Sequence, residues 1–117
     1  FGMSLIALDE AKTYLRVDGG MDDELIGSLL LTAEKLTEDV ARLTATEWEK
    51  LCDETTEEMT IRDTELLVGE ILQLRSLIRT AVLYSLGYLY EHREEADHHD
   101  LVMTLRNLLS SVREGVF

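Results

Sequence analysis

His92, His98 and His99 are the three histidines of this chain, with Glu91, Glu94, Glu95 and Asp100 beside them. Imidazole and carboxylate groups are metal ligands, so any metal chemistry would be sought here first. A helical zinc site sets two histidines four residues apart on one face. His98 and His99 are adjacent, and adjacent side chains on a helix diverge by about 100° at about 3.6 residues per turn. The spacing favours a solvated corner between helices over a metal centre, and no metal ligand is assigned.

Cys52 is the single cysteine. Its neighbours are mainly acidic, which raises a thiol pKa and blunts its reactivity, so a structural role is favoured over a nucleophilic one. There is no serine elbow, phosphate-cradling glycine loop or paired-glycine fingerprint. The acid pairs fall on helix faces, where a solvated role is expected rather than general acid–base work. No catalytic residue, cofactor or enzymatic activity is expected. Tyr84, Tyr88 and Tyr90, with Trp48, are a candidate contact set, because amphipathic aromatic side chains favour interfaces. The alternative is that each edges the core.

The elements that would carry these residues are helical. The chain has 117 residues, 45% hydrophobic and 30% charged, and no proline. That suits one all-α domain with short connections, a small bundle of four principal helices around a long central one. Phe1 and Gly2 precede Met3 and read as a remnant ahead of a natural start, so the domain is taken as residues 3–117. The spacing predicts a first helix over about 8–16, with Leu8, Ala11 and Leu15 on one face and Asp18-Gly19-Gly20 ending it. A second helix is predicted over about 22–43, opened by Asp22 and Asp23. Residues 44–63 are the least regular. Thr46-Glu47-Trp48-Glu49 matches a capping box, and 54–60 reads as an exposed acidic loop.

A third helix is predicted over about 65–92, capped by Asp63 or Thr64. Its stripe is Leu67, Ile71, Leu74, Ile78, Ala81, Val82, Ser85 and Leu89, widened by Leu66, Leu77, Leu86 and Tyr90. Such an apolar helix lies at the centre of a bundle or beneath a partner chain. The second and third helices are expected to pack antiparallel. A last helix over about 98–113, capped by Asp97, carries Leu101, Leu105, Leu108, Leu109 and Val112. Val116 and Phe117 then leave an apolar end.

The net charge is -13. Tight binding to duplex DNA or an anionic membrane is not expected of such a chain, since phosphates are neutralised by Lys and Arg and no basic run appears. With one cysteine there is no intrachain disulfide, an intracellular site of assembly is the default, and no apolar run approaches a membrane span.

Three stretches, in order, resemble the head–tail connector family of tailed bacteriophages, the head-completion adaptors also described as DNA-packaging proteins. The first is Leu8-Asp9-Glu10-Ala11-Lys12 with Leu15-Arg16-Val17-Asp18. The second is Asp22-Asp23 with Leu25-Ile26 and Ala33-Glu34. The third is Ala81-Val82-Leu83 with Gly87-Tyr88-Leu89-Tyr90-Glu91-His92-Arg93-Glu94, and Leu108-Leu109 with Val112-Arg113 resembles the closing helix. Leu8, Lys12, Leu15, Arg16, Asp22, Asp23, Tyr90 and Arg93 are the positions that carry the likeness. The chain departs from the family at Ala7, where a threonine cap is common, and at Thr44-Ala45, where Thr-Gly is common. Its middle segment is also longer and more acidic.

The resemblance implies a structural protein of the virion head–tail junction, assembled in the bacterial host cytoplasm. It implies a ring of about twelve copies, a closed cyclic assembly, seated on the portal and extending the DNA channel. DNA would pass through without tight binding, and a stopper or tail protein would follow. Arg113, Val116 and Phe117, with Tyr84 and Tyr88, are the candidate portal or subunit contacts. The end of the chain would either dock on the portal or fold back on the core. The competing reading is a small acidic regulator that lays its third helix in the groove of a basic protein.

Overall fold

The computed structural model describes residues 4–94 and 97–115. It is 67% helical, with α1 (Leu8–Leu15), α2 (Asp23–Ala41), α3 (Ala45–Cys52), β1 (Glu58–Ile61), β2 (Thr64–Leu67), α4 (Val68–Glu91), α5 (His99–Leu108) and α6 (Ser110–Glu114). The fold is a helical bundle with a two-stranded hairpin, so the all-α expectation holds only as "mostly helical". α2 and α4 pack against each other in opposite directions. At one end Tyr90 of α4 donates to Asp22, just before α2, at 3.2 Å. At the other, Arg75 of α4 and Glu34 and Glu38 of α2 all act on Cys52.

The hairpin corrects two expectations. Residues 58–61 are a strand rather than exposed loop, and 64–67 pair with them antiparallel, Glu58 opposite Leu67 and Ile61 opposite Thr64. Met59, Ile61 and Leu66 are buried, while Glu58, Thr60 and Glu65 face solvent, the two-residue alternation of a half-buried ribbon. The long helix therefore starts at Val68, not near Glu65. Leu66 reaches the core from the strand, and Leu67 is 57% exposed rather than part of the helical stripe. Glu70 accepts from the Leu67 N–H at 3.3 Å and serves the helix start that Asp63 or Thr64 was expected to cap.

Three further helix ends differ from the expected ones. α1 and α2 stop without glycine. Arg16 (φ 59°) and Arg42 (φ 60°) take the left-handed position themselves. Val17 N–H then bonds Lys12 O at 3.0 Å and Leu43 N–H bonds Glu38 O at 3.1 Å. Both ends are Schellman turns, with Val17 and Leu43 packing back on the core. At α3 the capping box is Thr44 with Glu47, two residues earlier than Thr46 with Glu49. Glu47 N–H donates to Thr44 Oγ1 at 3.1 Å and Thr44 N–H to Glu47 Oε1 at 2.8 Å. The closing helix breaks at Leu109, which is fully buried, and Asp97 accepts from His99 N–H at 2.9 Å.

Trp48, Ile26, Ile71, Ile78, Leu101 and Leu105 lie within one apolar core. Ser4 to Ile6 are drawn into it as well: Ile6 is 1% exposed. Buried Glu34 accepts from Leu5 N–H at 2.9 Å, and Ser4 Oγ lies 2.8 Å from the same carboxylate oxygen. Arg79 donates to Leu5 O at 2.7 Å and pairs with Glu10.

The hairpin turn is Arg62-Asp63, both with positive φ (47° and 67°) and neither a glycine. The Arg62 guanidinium holds this turn down. It donates to Val112 O of α6, and to Ala41 O and Arg42 O, both at 3.0 Å, at the end of α2. Arg62→Ala should lower stability by about 2 kcal/mol, the scale of lost charge-assisted bonds to otherwise unserved carbonyls. Arg62→Lys should recover only part, because an ammonium cannot spread a fork of donors over three carbonyls. Urea unfolding measures both; equal stability of all three proteins would show that the turn does not depend on this side chain.

Candidate functional site

The histidine corner is spent on aromatic packing. His92 stacks on Tyr88 with ring centroids 4.1 Å apart, and its Nδ1 lies 2.9 Å from Tyr88 O. His98 meets the same tyrosine edge-on at 6.1 Å. Among the described residues no three His, Cys, Asp or Glu side chains are placed to hold a metal ion. Glu95 lies outside the described residues.

Burial, ahead of the neighbouring Glu34 charge, pushes the Cys52 thiol up to about 11. The sequence pointed to acidic neighbours as the cause, and desolvation is the larger one. At neutral pH such a group is almost wholly thiol, the unreactive form.

Of the positions that carry the family likeness, Leu15, Arg16 and Tyr90 meet in a different place. Tyr14, Leu15 and Arg16 at the end of α1 meet Tyr84, Gly87, Tyr88, Tyr90 and His92 of α4 and its end, around an open groove of about 710 Å³. Gly87 permits this approach, since a Cβ there would stand 3.3 Å from Tyr14 Cε2. Tyr14 is 48% and Tyr84 41% exposed. Tyr88 and Tyr90 are half-buried against the core. Trp48 is buried on another face and separates from the set. Arg93 sits 4.7 Å over the Tyr90 ring and donates to Tyr90 O. Lys12 pairs with Asp23 at 2.7 Å, and Asp22 accepts from Tyr90, so the carboxylates that open α2 tie α1 and α4 to it. Leu8 and Leu15 pack on the core as helix anchors.

Arg113 turns inward and donates to Val40 O at 2.7 Å. Val116 and Phe117 lie outside the described residues.

A second feature was not legible in the sequence. Arg42, Arg62, Arg106 and Arg113, far apart in the chain, share one end of the fold. Arg62 and Arg113 both reach carbonyls at the end of α2. Desolvation, then the like charges of Arg42, Arg106 and Arg62, lower the Arg113 pKa. They fall in separate segments of the sequence, so no basic run announced them.

Comparison with protein families, with characterised proteins and with solved structures returns no match for this chain. No helix among the described residues is long and apolar enough to cross a membrane.

Glu34 gives the clearest pH signature. Burial raises its carboxyl above the ordinary 4.5, against lowering by Ser4 and the Leu5 and Ile6 backbone. The folded chain therefore favours the protonated acid. That contribution to stability is fully present below 4.5 and is lost as pH rises through the raised folded value. Glu34→Gln keeps an acceptor for Leu5 N–H and carries no charge. Its urea midpoint should gain on the parent as pH rises through that window and show no gain below it. A constant difference at every pH would mean that Glu34 titrates as in the unfolded chain.

Proposed function

We propose that this chain is a head–tail connector of a tailed phage or prophage, acting as a structural protein without catalysis. The observation that carries the reading is the groove. Two stretches of the family likeness, 8–18 and 81–94, are distant in sequence, yet Tyr14, Leu15 and Arg16 of the first and Tyr84, Tyr88, Tyr90 and His92 of the second line one open groove. On this reading the Tyr14–Tyr84 face meets the portal or a neighbouring copy. The chain assembles as a ring of about twelve, a closed cyclic array, at the head–tail junction of a virion built in the host cytoplasm. The acidic surface repels the DNA that passes through, and a stopper or tail protein follows. The end of the chain, from Arg113 to Phe117, is on this reading a second, separate docking element for the portal.

The test uses the portal protein encoded beside this chain. Co-sedimentation and electron microscopy should show this chain bound as a ring on the portal. Deletion of Val116 and Phe117 should leave the melting temperature unchanged and abolish that association. Gly87→Ala separates surface from fold. It should stabilise α4 by up to about 1 kcal/mol through helix propensity, while displacing Tyr14 and weakening portal association. A chain that stays monomeric or dimeric and ignores the portal, but captures a basic protein, would support the regulator reading.

A further inference from the structure

We infer that the arginine cluster is one half of a head-to-tail contact whose other half is the acidic groove on a second copy of this chain. The inference rests on the assembly reading above for its biological setting, but its argument is one of charge and geometry.

The basic half is Arg42, Arg62, Arg106 and Arg113. Arg62 and Arg113 are fixed by backbone carbonyls, as described. Arg42 and Arg106 are exposed. None of the four is in an ion pair with a carboxylate among the described residues. Glu114 offsets part of the repulsion felt by Arg113. In a chain with 24 acidic and 11 basic residues, four arginines outside any ion pair among the described residues gather at one end, with Asp63 and Glu114 beside them, and leave that end basic against the mean.

The acidic half lies at the opposite end of the hairpin. A groove of about 830 Å³ is lined by Asp53, Glu57 and Glu58, with Leu67, Val68 and Lys50. Leu67 and Val68 are 57% and 47% exposed. Carboxylates beside apolar surface suit arginine, whose guanidinium takes carboxylate oxygens while its stem covers hydrocarbon. The hairpin runs from one patch to the other, and helix residues complete each: Arg42, Arg106 and Arg113 at one end, Lys50, Asp53 and Val68 at the other. The Arg62-Asp63 turn is the basic end and the Glu58–Leu67 pair the acidic end, roughly 13 Å apart at about 3.3 Å per residue. Patches of opposite sign at opposite ends cannot satisfy each other within one copy. They match between copies, and such a heterologous contact repeats into a ring or filament. Duplex DNA is the poorer occupant, because its dense phosphate charge also meets the acidic remainder of the surface.

Charge exchange tests this. One variant is Arg42→Glu with Arg106→Glu, which leaves both capping arginines in place. The other is Glu57→Arg with Glu58→Arg. Circular dichroism and thermal melting confirm that each is folded. If the first pair does not fold, Arg42→Gln with Arg106→Gln replaces it for the loss-of-assembly arm. Sedimentation of the full chain at about 0.05 M salt should show assemblies larger than a monomer, receding near about 0.5 M as screening shortens the field. Each reversed variant alone should associate about tenfold more weakly or worse, the scale of lost close charge pairs. An equimolar mixture of the two reversals should reassociate, since each acidic face then meets a basic one. A monomeric parent at low salt would overturn the proposal. So would variants that assemble like the parent, a mixture that stays dissociated, or arginine variants that lose DNA binding but not assembly. Unaltered assembly on the portal by both variants would overturn this contact and leave the connector reading standing. Charge-reversible assembly that never joins a portal would do the opposite.

Discussion

The Arg62 guanidinium is the interaction on which the lower half of the molecule depends. Helix ends leave carbonyls without intrahelical partners, and α2 ends on an arginine in the left-handed conformation where glycine is the usual occupant. Arg62 serves Ala41 O and Arg42 O there, and Val112 O of α6. Its own backbone is in the left-handed region, as is that of Asp63, which suits the right-handed twist of a two-residue hairpin but costs free energy in residues with a Cβ. The turn and the helix end are each unfavourable alone. One planar fork of donors offsets both, and in doing so fixes the hairpin, α2 and α6 relative to each other.

A matching clamp works at the other end of the sequence. Ser4 to Ile6 bend into the core ahead of α1, and α1 has no side-chain cap at Ala7. Glu34 takes the Leu5 N–H and Arg79 the Leu5 carbonyl, so both backbone polar groups of this segment are met by charged side chains from α2 and α4. The carboxylate is costly to bury, which is why its pKa rises. Burial of Ile6 and Leu5 offsets that cost, since an apolar side chain removed from water gains about 1.5–3 kcal/mol.

What the sequence made legible follows from periodicity. Ile71, Leu74, Ile78, Ala81, Val82, Ser85 and Leu89 repeat at helical spacing and are all buried in α4, and Ile26, Leu30, Ala33 and Val40 do the same in α2. The hairpin was hidden because four-residue strands give too few alternations. Its turn lacks the glycine or asparagine that marks such turns, and Leu66 and Leu67 fall into the helical phase of α4 by accident. The end of α1 was misread for a related reason, since positive φ is expected of glycine and Gly19 lay close by, whereas Arg16 takes that position. Of the candidate site, the tyrosines were legible as amphipathic residues, but their meeting with Tyr14 and Arg16 was not. At that meeting a Cβ on Gly87 would stand 3.3 Å from Tyr14 Cε2, a closeness that periodicity, treating glycine as a blank, does not reveal.

The arginine cluster shows why net charge is a poor guide to a surface. A value of -13 describes the field several Debye lengths away, where all charges act together. At about 0.15 M salt that field is screened within about 8 Å, so contacts respond to the charges beneath them. Helix C-termini carry partial negative charge and draw cations. The ends of α2 and α6 lie side by side here, so the carbonyls that must be served gather the arginines that serve them. Arg62 and Arg113 are held there by those carbonyls, and Arg42 and Arg106 add exposed charge beside them. A structural solution to orphaned backbone groups has left a directional charge pattern on an otherwise acidic protein.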